Sequence, residues 1–301
     1  MAGWRGIDRA AIQPGATAAG GAGRHGAADP ASGRRHITFQ QRLRRAVARR
    51  IGPYTSRVED VLADRAIRPK LERLRRSSFY AGLPGLSILV VGVQSPRRPG
   101  SLDRIYEQMA STRHRMTFDS KGVEKLGKLD NVNVLLERHD LSRFDWVIMV
   151  DDDVELPEQF TDTFIALAEY ADLKIAGPAQ RAFSYWSHRI TKRQHGVLVR
   201  QTNYAEIGPI IALRREVFDL TLPMPSLRFG WGVDMVWPVL AAKRGFKTGV
   251  VDGAALRHVS PIAADYDHMA ASAEAEAYMN PHGIVTGVHV LETTTTVRDI
   301  A

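Results

Sequence analysis

Between residues 87 and 170 the apolar positions of the chain alternate between short unbroken runs and stretches where they recur at helical spacing. Ser87 to Val93 is such a run and predicts a buried strand, followed by a loop at Pro96–Gly100 and a helix from about Ser101 to Thr112. His114 to Phe118 predicts a second strand, Gly127 to Glu137 a helix, and Trp146 to Val150 a third strand. Pro157 suits the first turn of a further helix, and Phe160, Phe164, Leu167 and Ala168 follow at helical spacing. Unbroken apolar strands alternating with helices predict an α/β fold whose mainly parallel sheet is covered on both faces. Ligands of such sheets sit beyond the carboxyl ends of the strands.

The pattern changes before residue 80. Phe39, Leu43, Val47 and Ile51 recur every four residues, with Arg42, Arg44, Arg45, Arg49 and Arg50 between them, which predicts an amphipathic basic helix. A second helical piece is expected over Ser56–Arg76. Met1 to Arg35 is Ala, Gly and Arg with few large apolar groups, too little to offset the entropy of ordering, and is expected to be a disordered tail. The organisation expected is a tail over 1–36, a basic helical segment over 37–80, an α/β domain over 81–264, and a carboxyl-terminal helix and tail over 265–301.

Charge sharpens that boundary. The first 80 residues hold 17 Lys and Arg against 6 Asp and Glu, whereas the remaining 221 hold 24 against 27. Two readings of the basic segment stand side by side: attachment of residues 37–51 to an anionic membrane surface, and a solvated helix packing its apolar stripe on the domain. Nucleic acid is not expected, because no stacking aromatics interleave with the arginines. The chain has no cysteine, which excludes disulfides, thiolate metal sites and a cysteine nucleophile and is compatible with the cytoplasm. The longest apolar run, around Leu83 to Val93, falls short of the roughly 20 residues of a membrane span, so a cytoplasmic protein, peripheral at the inner membrane face in the first reading, is expected.

The third strand empties into Asp151, Asp152 and Asp153. Three adjacent carboxylates repel one another and are costly to desolvate, so a cation or cationic group is expected to neutralise them; a hard divalent metal is the usual solution, and carboxylate oxygens suit Mg2+ or Mn2+. Asp151 and Asp153 are two apart on an extended segment and share a face. The alternative is that one aspartate merely caps the following helix.

Further along come Glu206 to Phe218, with Arg214-Arg215-Glu216 inside it, then Phe229-Gly-Trp-Gly-Val-Asp234, Gly249-Val-Val-Asp252 and Leu256-Arg-His258. In order and spacing, these segments and the aspartate triplet resemble a GT-A glycosyltransferase, close to the family 2 type, over about residues 87–262. The resemblance implies a GT-A, Rossmann-like domain and a metal-dependent transfer of sugar from a nucleotide diphosphate, UDP-sugars being favoured, to a hydroxyl of a carbohydrate or lipid-linked acceptor. It implies Asp151, Asp153 and His258 at the metal, Asp151 and Asp152 toward the donor nucleotide, and Asp234 as general base. The usual Glu-Asp pair is Val233-Asp234 here, leaving Asp234 as the sole carboxylate at that point. Asp234 alternatively caps a helix. A single base facing a leaving group implies displacement with inversion.

Lys128 and Asn131, one helical turn apart, are candidates for the donor phosphate and base. Trp231 and Trp186 could stack on an acceptor sugar, and Glu206 is a further acceptor candidate. Two other classes compete. A haloacid-dehalogenase-like phosphohydrolase would use Asp151 as nucleophile and Asp153 as acid, and needs a second acidic strand end, for which only Asp252 is on offer. A sugar-nucleotide-binding scaffold without catalysis would leave the triplet indifferent to metal.

Overall fold

The structure, a computed structural model, describes residues 39–124, 126–261, 267–285 and 288–300, with side chains from residue 53 onward. The expected tail over 1–36 and the boundary at 264/265 lie outside these residues, as do the side chains of the basic stripe from Phe39 to Ile51.

In chain order the elements are helices α1 (Phe39–Arg76) and α2 (Ser78–Gly82), strand β1 (Ser87–Gln94), α3 (Ser101–Ala110), β2 (Arg115–Gly122), α4 (Lys128–Leu136), β3 (Trp146–Asp151) and the short β4 (Val154–Glu155). They continue with α5 (Phe160–Tyr170), β5 (Leu173–Gln180), β6 (Val199–Thr202), β7 (Ile210–Arg214), α6 (Phe218–Thr221), α7 (Val233–Lys243), β8 (Lys247–His258), α8 (His268–Met279) and β9 (Thr293–Val297). The sheet runs β2-β1-β3-β7-β5-β8-β6-β9, with β4 paired to β8 off this path. Strands β1, β2, β3, β5, β8 and β9 share one direction, while β7 and β6 are reversed. The reversal of β7 carries the loop before it to the edge where β1, β3, β5 and β8 end.

Strand parity explains the unbroken apolar runs. Ile88 and Val90 of β1 and Trp146, Ile148 and Val150 of β3 pack with α1, α3 and α5 through Ile67, Leu74, Leu102, Ile105, Met109, Phe160 and Phe164. Their neighbours Leu89, Val91, Val147 and Met149 face the other side, against Leu129, Val132 and Leu135 of α4 and Val233, Trp237 and Ala241 of α7. With both faces covered, every position must be apolar.

Two helical pieces were expected before residue 80, and the structure has one helix of 38 residues that runs through Pro53 and Pro69. Past residue 53 it packs on the domain. Asp60 accepts from the backbone N–H groups of Ala182 (2.8 Å) and Phe183 (2.9 Å), and Arg193 reaches both Asp60 and Asp64. Lys70 donates to the carbonyls of Gly196 and Arg298, so the same helix ties down the strand β9 edge. Among the described residues no helix is long and apolar enough to cross a membrane.

On β8, Asp252 is 1 % exposed and receives Arg200 Nε at 2.8 Å, Arg200 Nη2 at 3.1 Å and the backbone N–H of Gln194 at 2.7 Å. Burial raises its carboxyl above the ordinary value, and the Arg200 charge and hydrogen bonds work against that. Asp252→Ala would leave the Arg200 guanidinium buried without its counter-charge. We expect a loss of about 3–5 kcal/mol in chemical denaturation; a change under about 1 kcal/mol would show that the pair is not a structural anchor.

Candidate active site

Four strands deliver polar side chains to one edge of the sheet: Gln94 from β1, Asp151 from β3, Gln180 from β5 and His258 from β8. The alternation that buries β3 then distributes the aspartates. Asp151 continues the Val147–Met149 side and meets α4, where Lys128 Nζ lies 2.5 Å from its Oδ1. A Cβ on Gly208 would sit 2.9 Å from Asp151 Oδ2 and 3.1 Å from Lys128 Nζ, so the glycine makes room for this pair.

Asp152 takes the opposite side and is 8 % exposed. It accepts from Ser95 N–H (2.6 Å) and Gln94 Nε2 (3.0 Å), with Arg98 Nη1 at 3.4 Å. Burial raises its carboxyl despite the Ser95 bond. This aspartate fastens the loop after β1 and anchors Arg98, and both residues line the cavity.

Asp153 Oδ2 lies 3.0 Å from His258 Nε2, and Arg98 Nη1 is 3.3 Å away. Burial works to raise the Asp153 carboxyl, but the His258 hydrogen bond and charge, Ser260 and Arg98 outweigh it and hold it at about 2. Burial lowers His258 while Asp153, Asp151 and Glu206 raise it, with a net rise. The backbone carbonyl of Tyr185, 3.2 Å from His258 Nδ1, can only accept. The ring hydrogen therefore sits on Nδ1 and Nε2 faces the carboxylate, an arrangement that needs a proton or a cation between them.

Among the described residues no group of three or more His, Cys, Asp or Glu could hold a metal ion unaided. The pair Asp153 and His258 nevertheless fits a shared ion. Two neighbouring ligands at about 2.0–2.1 Å on an octahedral cation are about 3 Å apart, and such cations usually take only one or two carboxylates and complete their shell with phosphates and water. Asp151, also expected at the metal, is paired with Lys128 in this structure.

The same cavity is lined by Asp234, in the first turn of α7. The expected alternative role as helix cap is not the one seen, because the capping position is Gly232, with φ +92° and no side-chain cap bond. Tyr204 Oη donates to Asp234 Oδ2 at 2.9 Å, and Asp234 Oδ1 is buried without a hydrogen-bond partner. Burial raises this carboxyl to about 7; Tyr204 and Lys128 pull it down and the Glu206 charge pushes it up. The approach to α7 is braced from α8, where the Glu274 carboxylate accepts from the N–H groups of Arg228 (2.6 Å) and Phe229 (2.9 Å).

These groups line one cavity of about 930 Å³, together with Asn131, Glu206 and Trp231 among the candidates read from sequence. Asn131 spends its amide on the carbonyls of Leu126 (3.2 Å) and Gly127 (3.0 Å), fixing the turn before α4. Glu206 is raised by burial and receives Gln180 Nε2 at 2.7 Å. Trp186 is not among the lining residues. Sequence reasoning missed Arg97, Arg98 and Arg228 on the cavity wall and Tyr204 beside Asp234. The paired arginines inside the Pro96–Gly100 loop, directly after a strand end, were the available signal for the first two. The second acidic strand end that a phosphohydrolase would use, Asp252, is sealed by Arg200 away from this cavity.

No family model and no curated protein matches the chain. Among solved structures it is similar to GalNAc-T7 with UDP, GalNAc and Mn2+, at 11 % identity over 59 % of this chain and 44 % of that one, TM-score 0.40. It thus spans less than half of that protein. It is also similar to the catalytic domain of Drosophila β1,4-galactosyltransferase 7 in complex with xylobiose (16 % identity, 58 % and 71 % of the two chains, TM-score 0.40) and to S. aureus TarS 1-349 (12 %, 65 % and 72 %, 0.42). Likeness at this level carries no argument about chemistry, which rests on the site itself.

Gly232 sets the entry to α7 and hence the position of Asp234. An added Cβ would be strained at φ +92° and would lie 2.9 Å from Met279 Cγ. Gly232→Ala is expected to cost about 1–3 kcal/mol in thermal or chemical denaturation, and an unchanged melting curve would show that the turn relaxes freely.

Proposed function

We propose that this protein is a metal-dependent glycosyltransferase of the GT-A type, moving a sugar from a nucleotide diphosphate, UDP-sugars favoured, to a hydroxyl of a carbohydrate or lipid-linked acceptor. The observation that carries this reading is the presence, in the lining of one cavity, of both the Asp153–His258 pair and the Asp234 carboxyl that burial raises to about 7. Asp153 and His258 would hold Mn2+ or Mg2+, which when bound supplies Lewis acidity to neutralise the departing diphosphate. Lys128, Arg97, Arg98 and Arg228 add positive charge on the cavity wall, where phosphate oxygens would be met by charge-assisted hydrogen bonds. Asp151 keeps Lys128 in place, and Asp152 does the same for the loop bearing Arg98.

The acceptor hydroxyl attacks the anomeric carbon as the bond to the diphosphate breaks, and its proton passes to Asp234. A base with a pKa near the working pH suits this task. Among the described buried side chains Asp234 is the only carboxylate with an oxygen lacking a partner, whereas Glu206 is held by Gln180. This supports a single displacement with inversion rather than a covalent glycosyl intermediate. Trp231 on the same wall offers an aromatic surface for the acceptor sugar. A lipid-linked acceptor would bring the protein to an anionic membrane, which the five arginines between positions 42 and 50 favour.

Calorimetric titration of UDP and GDP, with and without Mn2+, tests the donor site. We expect metal-dependent binding that disappears in Asp153→Asn and in His258→Ala. Equal binding without metal, or in both variants, would overturn the metal assignment. No binding of either nucleotide would overturn the transferase reading as a whole.

Asp234→Asn is expected to keep nucleotide binding while turnover falls about 10²- to 10⁴-fold. Because burial raises Asp234 to about 7, the base is protonated below neutral pH, so the wild-type rate should fall as pH drops through about 7. A rate that stays flat through neutral and mildly acidic pH would exclude Asp234 as the titrating base.

A further inference from the structure

Tyr204 is wholly buried and stands behind Asp234 rather than in the cavity lining. Among the described residues its hydroxyl is the one side-chain donor to the Asp234 carboxylate, at 2.9 Å, and the other carboxylate oxygen has no hydrogen-bond partner. The backbone reinforces the contact: Ala205 N–H donates to the Asp234 carbonyl at 3.1 Å, and Thr202 Oγ1 donates to the Tyr204 carbonyl at 2.7 Å. The His188 ring meets the Tyr204 ring edge-on at 5.0 Å between centroids. The phenol is thus locked between the end of β6 and the start of α7, with one freedom left, the rotation of its hydroxyl hydrogen.

The geometry points to Tyr204 as the positioning residue of the transfer reaction: its hydroxyl fixes the Asp234 carboxylate through one oxygen and so orients the group that takes the acceptor proton. This rests on Asp234 being the base. The hydroxyl is a donor at all working pH values, because burial, with the nearby Asp234 and Glu206 charges, raises the Tyr204 phenol well above its ordinary value. The other groups that act on Asp234 are Glu206 from the loop before β7 and Lys128 from α4, of opposite sign. His188, behind the phenol, is lowered by burial to about 4 and is neutral, so it adds no charge of its own. The Tyr204 bond is therefore the one contact on the carboxylate that can be removed without changing a charge.

The test is Tyr204→Phe, read by 13C-carboxyl NMR titration of aspartate-labelled protein, with the Asp234 signal assigned by its loss in Asp234→Asn. A hydrogen bond to a charged group is worth enough to change proton affinity by about ten-fold or more. We expect the Asp234 midpoint to move to higher pH by that factor. In steady-state assays with the best UDP-sugar of a panel, the acidic limb of the rate should move the same way, kcat should fall, and KM for the donor should stay. Tyr204 replaced by 2,3-difluorotyrosine, a stronger donor of the same shape, should move the midpoint to lower pH. An Asp234 midpoint unchanged in both variants would overturn the proposal, whatever happens to the rate. Should Asp234→Asn keep full turnover while the midpoint shifts stand, the base assignment fails and the Tyr204 contact survives as a structural tie. A Tyr204→Phe protein that does not fold leaves the difluorotyrosine arm to decide.

Discussion

Three consecutive carboxylates cannot share one environment at a strand end, and the site is organised around that constraint. Strand β3 resolves it by alternation. Asp151 is sent toward α4 and Lys128, Asp152 toward the β1 loop and its backbone N–H groups, and Asp153 toward His258 on the last core strand. Each charge receives a different partner from a different element, so the triplet joins α4, the Ser95–Arg98 loop and β8 around one cavity. Desolvation is the largest influence on both Asp152 and Asp153, yet the first is raised and the second held at about 2. The two differ because Asp153 gains the His258 hydrogen bond and charge besides Arg98, whereas Asp152 sets only the Ser95 N–H and Arg98 against its burial and the charges of its neighbours.

The part of the lining that carries Asp234 depends on a second set of constraints, this time of backbone. Gly230 and Gly232 both have positive φ, which lets the chain turn sharply from Phe229 into α7 and presents Asp234 one residue into the helix. Glu274 holds the start of this turn by two N–H groups, and Met279 and Ala275 fill the space beside Gly232. Helix α8, outside the sheet, is therefore a brace for the carboxylate. The long helix α1 acts similarly on the far side, through Asp60 and Asp64 with Arg181 and Arg193. Both flanking helices support loops that an α/β core leaves without partners.

Much of this was legible in the sequence. Fully buried strands announce themselves as unbroken apolar runs, which is why β1 and β3 stood out, and the aspartates marked the edge where ligands collect. His258 and Asp234 were legible as members of an ordered set of motifs. Reversed strands such as β7 were not, since strand direction is set by connection and not by local pattern. The continuity of α1 was hidden by Pro53 and Pro69, whose local cost is met within one long helix that packs on the domain past residue 53. Tyr204 carried no signal, because a buried tyrosine in a loop reads as packing until its hydroxyl partner is known. Trp186 was a misleading signal for the same reason in reverse: an aromatic near a motif need not face the cavity.

The electrostatic logic of the cavity follows from these placements. Its acidic groups fall into two populations. Asp151, Asp152 and Asp153 have cationic or N–H partners, and Asp153 is ionised well below neutral pH. Asp234 and Glu206 are raised by burial, and the Glu206 charge raises Asp234 further. In the proposed reading, carboxylates that stay anionic and a separate carboxyl that titrates near neutrality would let the site hold a cation-neutralised leaving group and collect a proton without the two functions interfering. The separation requires that no strong cation stand directly on Asp234, for an arginine there would hold it ionised but weakly basic. Lys128 meets this condition by being engaged with Asp151, so that its positive charge is drawn toward the strand end and only the residue of its field reaches the base.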